Sequence, residues 1–174
     1  KYAYFVASDK KIKRVNLQGT AVIDNISSDA VWDNVAVSKD GKRLAALTVD
    51  PAKSIYVFNL GVTPATSKKF TLYNPTYTQG VQTGQVQYSD AIEWDPSGEY
   101  LVYDAFNKLK NAEGAAVDYW DVGFIEVWDN GKNTFGTGEI QKLFNDLEEG
   151  ESIGNPSFSK NSLDVLAFDY YDTT

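Results

Sequence analysis

A chain of 174 residues, 43% of them apolar and 23% charged, is long enough to bury a core and too apolar for a disordered protein. Its net charge of −8 repels phosphate backbones and argues against a nucleic-acid partner, while the absence of Cys excludes disulfides and thiolate metal sites within it. No apolar run approaches the roughly 18 residues that a membrane-spanning helix needs, so we predict no membrane span.

Apolar residues alternate with polar ones along most of the chain, which predicts antiparallel strands joined by polar turns. The predicted strands comprise residues 2–8, 11–17, 20–25, 32–38, 43–49, 54–60, 68–73, 90–95, 100–106, 122–129, 139–144, 154–159 and 164–170. The polar stretches 75–89 and 108–119 are predicted to be loop insertions. Residues 139–151 also fit a short amphipathic helix, but we predict a strand there because the other repeats place an outer strand at that point.

A polar turn between two apolar strands recurs three times. Its copies are Ser-Lys-Asp-Gly at 38–41, Asp-Pro-Ser-Gly at 95–98 and Ser-Lys-Asn-Ser at 159–162. Gly accepts the positive φ of a tight reversal, and Asp or Ser bonds its own backbone, so these stretches predict hairpins. Trp94 and Phe158 stand at the same repeat position before the second and third turns, and we predict that they pack between neighbouring sheets.

A second motif repeats in step with these turns. Strands that begin at Ile12, Ile55 and Ile125 each end in Asn or Asp close to a turn. The spacing of 43 residues between Ile12 and Ile55 matches one propeller blade of four strands. We therefore predict an all-β fold: a β-propeller of four-stranded antiparallel blades.

The strands suffice for about three blades only. The predicted units are a part blade at 1–30, a blade at 31–74, an expanded blade at 90–145 and a part blade at 153–172. Closed propellers have about four to eight blades, so we expect this incomplete arc to be a trimmed piece of a longer propeller, or to be completed by a partner. The open flanks of its terminal blades predict self-association.

The turns and the Ile-Tyr-Val strand at 55–57 resemble the WD40-like (PD40) repeats of TolB-type β-propellers. Those repeats carry a Ser-Pro-Asp-Gly-like turn between the first two strands of a blade and an Ile-Tyr-Val-like third strand. The resemblance covers residues 1–172, and no copy here matches the full turn motif. It implies a noncatalytic binding scaffold with a protein or peptide partner, and a periplasmic or secreted location.

The sequence contains few of the groups on which catalysis usually depends. The chain has no His, which excludes a Ser-His-Asp arrangement, His-ligated zinc and imidazole acid–base chemistry within it. The glycines at 134–139 lack the pattern of a phosphate-binding loop and are interpreted as a hairpin. We predict no catalytic residue, no metal site and no cofactor.

Aromatic side chains in or beside the two predicted insertions are the best binding candidates. Tyr77, Tyr88, Tyr119 and Trp120 could stack on a sugar or a peptide, although packing of the loops themselves is the simpler interpretation. Propeller loops vary while the blade frame stays constant, which favours the insertions as the place of binding.

Carboxylates are the only plentiful reactive groups. Asp118 and Asp121, like Asp169 and Asp172, could offer oxygens to Ca²⁺ or act as an acid–base pair, but solvated positions at strand ends are the interpretation we favour. A further acidic cluster is either a solvated loop or a surface for a basic partner. Its members are Asp146, Glu148, Glu149 and Glu151.

Three classes of function follow from these observations. The leading prediction is the noncatalytic binding scaffold. An accessory propeller of a larger serine peptidase is the second, and a G-x-S-x-G motif in a longer parent chain would support it. The third is a carbohydrate-binding or carbohydrate-active propeller, which the aromatic residues and carboxylates near the insertions would serve.

Overall fold

The computed structural model describes residues 1–74, 86–110, 113–144, 147–148 and 150–172. Every regular element in that part of the chain is a β-strand, and the predicted all-β class is confirmed. The strands are β1 (Tyr2–Val6), β2 (Ile12–Asn16), β3 (Ile23–Asn25), β4 (Trp32–Val37), β5 (Arg43–Thr48), β6 (Ser54–Asn59), β7 (Thr66–Thr71), β8 (Ile92–Trp94), β9 (Tyr100–Lys110), β10 (Ala116–Glu126), β11 (Trp128–Asp129), β12 (Thr134–Phe135), β13 (Ile140–Lys142), β14 (Glu151–Phe158) and β15 (Leu166–Asp172). The described residues include no helix that is long and apolar enough to cross a lipid bilayer.

The strands form successive antiparallel sheets. The first blade has the order β1-β2-β3, the second β4-β5-β6-β7, and the third β8-β9-β10-β13. The hairpin β11–β12 is inserted before the outer strand of the third blade, and β14–β15 form a two-stranded fourth unit. Each sheet therefore follows chain order, as expected where short turns join neighbouring strands.

The sheets stand side by side around a common edge. Strand β1 contacts β4, β4 contacts β8, and β8 contacts β14, so the inner strands of successive sheets are neighbours. This arrangement, with two four-stranded blades between two shorter sheets, is an incomplete β-propeller arc of about three blades.

Packing between blades buries both faces of the third blade. On one face Leu101, Tyr103 and Ile125 belong to the core shared with the second blade. On the other face Val102 and Val122 pack against the fourth unit. Because successive side chains of a strand point to opposite faces, a strand covered on both sides is apolar at nearly every position.

The predicted wedge residues occupy the spaces between blades. Trp94 is buried, and its indole Nε1 donates a hydrogen bond of 3.1 Å to the carbonyl of Ala36 in the second blade. Phe158 is half-buried and packs on Phe124, with ring centroids 6.3 Å apart. The prediction for both side chains is confirmed.

The turn after β4 has the predicted chemistry. Gly41 has a φ of 72°, and its N–H donates to the carbonyl of Ser38 at 2.8 Å. The Asp40 carboxylate accepts from the Lys42 N–H at 3.0 Å and from the Ser38 hydroxyl at 2.6 Å. Gly98 repeats the same φ of 72° in the third blade. A side chain at these two positions would be strained, which explains the choice of Gly.

Arg43 joins these two turns. Its side chain is only 9% exposed, and its guanidinium donates to Asp40 Oδ2 at 2.7 Å, to the carbonyl of Gly98 at 2.7 Å and to Asn130 Oδ1 at 3.0 Å. The guanidinium also lies 5.0 Å from the ring centroid of Trp128. Partial burial opposes ionisation of Asp40, but the bonds from Ser38, Lys42 and Arg43 outweigh it and lower the pKa of Asp40 to about 2.

The prediction of a loop over 108–119 is wrong. Strand β9 continues to Lys110 and β10 begins at Ala116, so the two strands form one long hairpin. Polar residues interrupt the alternating pattern of a strand in this stretch. Among them, Lys108 and Asp118 are exposed and lie directly opposite each other in the pairing of β9 and β10. Opposite charges in such a cross-strand pair are compatible with a sheet.

The two remaining ambiguous segments have different outcomes. Residues 75–85 of the first predicted insertion lie outside the described residues, whereas Tyr88 makes an isolated bridge to Phe106. Within 139–151 the structure forms β13 at Ile140–Lys142 and no helix among the described residues, which confirms the strand prediction.

Replacing Arg43 with Met should destabilise the arc. The substitution keeps the apolar stem but leaves Asp40, Gly98 and Asn130 without their shared donor, so we expect a loss of about 2 to 4 kcal/mol in the free energy of unfolding. Urea denaturation followed by tryptophan fluorescence measures this loss.

Arg14→Met is the matched control. Arg14 pairs with Asp24 at 3.1 Å, with both side chains more than a third exposed, so its loss should cost less than about 1 kcal/mol. Equal losses in the two variants would contradict the structural role assigned to Arg43.

Candidate functional site

Three aromatic side chains pack together where β9 and β10 approach the residues that precede β8. The ring centroids of Tyr88, Phe106 and Trp120 lie 5.1 to 5.3 Å apart in all three pairs. Trp120 is directly opposite Phe106 in the register of β9 and β10, and Tyr88 bridges to Phe106 from the other side. Strand pairing thus gathers three rings that are distant in sequence into one aromatic cluster.

An open cleft of about 430 Å³ lies beside this cluster, between the third blade and the β14–β15 unit. Its lining comprises Asp90, Asp104, Trp120, Ser152, Gly154, Asn155 and Tyr171. The backbone N–H of Trp120 donates a hydrogen bond of 3.2 Å to the Ser152 hydroxyl and so joins the two walls. We call this cleft the Trp120 cleft. Such a volume is typical of small-ligand sites, for which about 300 to 1,000 Å³ is usual.

The wall formed by β14 and β15 is shaped by an irregularity in their pairing. The register shifts between Gly154 and Ser157, and Asn155 has a φ of 50°, a left-handed conformation that Asn tolerates. The Asn155 amide donates to Asp169 Oδ2 at 2.8 Å, and the Tyr171 hydroxyl donates to the same oxygen at 3.2 Å. Asp169 therefore orients two polar groups at the rim of the cleft.

The opposite wall carries a buried carboxyl group. Asp104 is only 1% exposed, and its Oδ1 accepts from the N–H groups of Asp90 and Ala91 at 3.0 and 2.9 Å and from the Ser89 hydroxyl at 3.3 Å. Burial raises the pKa of Asp104 to about 7, and the neighbouring Asp90 carboxyl acts in the same direction, against the two N–H donors.

The same acidic residues affect the pKa of the Tyr88 phenol. Burial raises its pKa, and the negative charges of Asp90, Asp50 and Asp104 raise it further. Among the described residues that line the cleft there is neither Lys nor Arg. The described lining of the Trp120 cleft thus combines acidic residues with no basic side chain.

Two other predicted site residues face away from this cleft. Tyr119 is buried on the opposite face of β10, and its hydroxyl accepts from the Asn74 amide at 3.2 Å. Asp121, on the same face, is fully buried; its Oδ1 accepts from the Val122 N–H at 2.7 Å, while its Oδ2 has no hydrogen-bond partner among the described residues. Burial raises the pKa of Asp121 to about 7.

The structure does not bring Asp118 and Asp121 together as a pair. Asp118 is exposed, whereas Asp121 is buried three positions further along the strand, and an odd spacing places two side chains on opposite faces. The prediction that both are solvated is correct for Asp118 and wrong for Asp121, and both lie within β10 rather than in a turn. Asp121 is covered by a contact between blades, and a local sequence pattern does not predict such a contact.

The remaining candidates are more scattered. Tyr77, Asp146 and Glu149 lie outside the described residues. Asp169 and Asp172 are exposed on β15. Among the described residues, no group of three or more His, Cys, Asp or Glu side chains is placed to hold a metal ion.

Sequence reasoning named two members of the site and missed the others. The sequence indicates Tyr88 and Trp120 as binding candidates, but not Phe106, Asp104 or Tyr171. Asp104 did carry a signal, because it interrupts the apolar run Leu-Val-Tyr-Asp-Ala-Phe at a position that the strand period assigns to the interior.

No protein-family model matches the chain, and no curated protein matches it in sequence. Among solved structures it is similar to the acylaminoacyl peptidase of Pyrococcus horikoshii in its orthorhombic crystal form, at 16% identity and a TM-score of 0.41, over 82% of this chain and 22% of that one. It is also similar to the β-propeller domain of the Trilobed protease from Pyrococcus furiosus, at 14% identity and a TM-score of 0.36, over 99% of this chain and 65% of that one. The chain thus spans less than two thirds of either relative. Its propeller fold is defined by its own sheet order and blade contacts.

Asp121→Asn should change the pH dependence of stability. In the native chain Asp121 keeps its proton up to a pH of about 7, whereas in the unfolded chain it loses it near the ordinary value of 3.8. The native state therefore loses stability as the pH rises from about 4 to 7. We expect Asp121→Asn to be about 1 to 4 kcal/mol more stable than the parent at pH 8 and equal to it near pH 4.

Asp118→Asn, the exposed neighbour, is the control and should leave the pH profile unchanged. Asp104 contributes in the same direction as Asp121, so the profile of Asp121→Asn should flatten only in part. Urea denaturation at a series of pH values measures these differences. A parent chain more stable than Asp121→Asn at pH 8 would contradict the assignment of a destabilising buried carboxylate.

Proposed function

We propose that this propeller arc is a noncatalytic binding scaffold that holds a peptide segment of a protein partner in the Trp120 cleft. The observation that carries the proposal is the open cleft itself, which presents Trp120 and Tyr171 beside polar groups. Aromatic residues are enriched in the buried centres of protein interfaces, where they combine large contact areas with few rotatable bonds.

The cleft offers the hydrogen-bonding groups that a peptide backbone needs. Ser152, Asn155 and the Asp90 carboxylate lie around its aromatic surface, and Asn155 is exposed. An extended peptide has N–H and C=O groups at regular intervals, and these can pair with such donors and acceptors. The location outside the cytoplasm that the family resemblance implies remains part of this proposal.

A carbohydrate ligand is the principal competitor, since a sugar ring also stacks on an indole. Cleavage of a carbohydrate would require two cooperating carboxyl groups. Asp118 and Asp121 do not supply them, because they occupy opposite faces of β10. The peptide proposal therefore competes with carbohydrate binding rather than with carbohydrate cleavage at that pair.

Fluorine NMR of the chain labelled with 5-fluorotryptophan tests the proposal. The four Trp residues give four resonances, and Trp120→Phe identifies the one that belongs to the cleft. We expect pools of capped tetrapeptides to shift the Trp120 resonance and to leave the others in place, because Trp32, Trp94 and Trp128 are 2 to 5% exposed. Tyr171→Ala should weaken this binding at least about tenfold, as loss of an interface aromatic commonly does.

Pools of neutral oligosaccharides serve as the competing probe. A shift of the Trp120 resonance by oligosaccharides and by no peptide pool would overturn the proposal in favour of carbohydrate binding. Light scattering under the same conditions separates peptide binding from the self-association that the open flanks predict.

A further inference from the structure

We infer that the Trp120 cleft recognises an arginine side chain of its peptide ligand. This inference rests on the proposed function and adds the chemistry of the recognised group. The cleft combines an aromatic surface, supplied by Trp120, with carboxyl groups from Asp90 and Asp104. A planar cation that stacks and donates several hydrogen bonds fits both features.

The carboxyl groups around the cleft lack a cationic partner within the described residues. The five ion pairs found there use the carboxylates of Asp9, Asp24, Asp33, Asp40 and Asp129. Lys108 lies over the ring of Phe106, 5.7 Å from its centroid, and does not line the cleft. A cationic ligand would therefore meet the exposed carboxylate of Asp90, which no ion pair among the described residues uses.

The Asp104 carboxyl and the backbone of Asp90 are held in place before any ligand arrives. Three donors fix Asp104 through its Oδ1. The backbone of Asp90 is held on both sides, because its N–H donates to Asp104 and its carbonyl accepts from the Asn34 amide at 2.8 Å. A preorganised acceptor loses little entropy on binding, which favours affinity for a complementary donor.

Arginine suits this cleft better than lysine does. Its guanidinium is planar, so it can lie against the Trp120 indole while its edge donates to a carboxylate. Tyr88 already packs edge-on to that indole, with an interplanar angle of 86°, and supports its orientation. A lysine ammonium is more strongly hydrated and cannot stack in this way, so we expect it to bind more weakly.

The test compares two capped tripeptides, acetyl-Gly-Arg-Gly-amide and its citrulline counterpart. Citrulline has nearly the shape of arginine but no charge. We expect the arginine peptide to bind at least about tenfold more tightly, measured by titration of the Trp120 fluorine resonance, because charge-assisted hydrogen bonds are roughly twice as strong as neutral ones. The lysine tripeptide should fall between the two.

Asp90→Asn should abolish most of the preference for arginine over citrulline. The exposed Asp90 side chain can be changed while both of its backbone hydrogen bonds stay in place. Asp29→Asn, at an exposed position that does not line the cleft, removes the same charge and should retain the preference. The resonances of the other three Trp residues verify that each variant is folded.

The outcomes separate the inference from the proposed function. Equal binding of the arginine and citrulline peptides would overturn arginine recognition and leave peptide binding in place. If Asp29→Asn reduces the preference for arginine as much as Asp90→Asn does, the preference arises from net charge. That result would also overturn the inference. Failure of these tripeptides and of every tetrapeptide pool to shift the Trp120 resonance would overturn both.

Discussion

The buried guanidinium of Arg43 is the interaction on which the geometry of the arc depends. A charge in such a place must have its hydrogen bonds satisfied, and its partners come from the turn of its own blade, from the turn of the third blade and from the inserted hairpin. These hydrogen bonds hold the two turns next to each other. Trp94 adds a hydrogen bond between the same two blades, so the frame is held by polar contacts with direction as well as by apolar burial.

The cleft lies toward the other end of the third blade from the Arg43 contacts. Strand β9 leaves the turn at Tyr100 and reaches Phe106 six positions later, roughly 20 Å along an extended strand. There the core residues give way to the aromatic cluster, and the β14–β15 unit stands opposite. The third blade and the β14–β15 unit thus present side chains from paired strands on both sides of the cleft, and binding residues are commonly carried on such a frame.

Polar residues inside the third blade serve different purposes on its two faces. Asp104 lines a cleft and accepts three hydrogen bonds, whereas Asp121 lies in the core, and one of its carboxylate oxygens has no partner in the described part of the chain. Both carboxyl groups have a raised pKa, because burial disfavours their charged forms. The two carboxyl groups have different surroundings because different parts of the arc pack against the two faces of the third blade.

Local sequence determined the strands, the Gly-containing turns and the repeat that defines a propeller blade, because alternation and turn chemistry act between residues close in the chain. It also indicated Tyr88 and Trp120 as binding candidates. Only the tertiary structure decided that the stretch around Lys108 and Asp118 is a long hairpin, that Asp121 is buried and that Asp104 and Tyr171 share a cleft with Trp120. Those outcomes depend on which blade covers each face of a strand, and contacts between blades join residues whose separation in sequence leaves no local pattern.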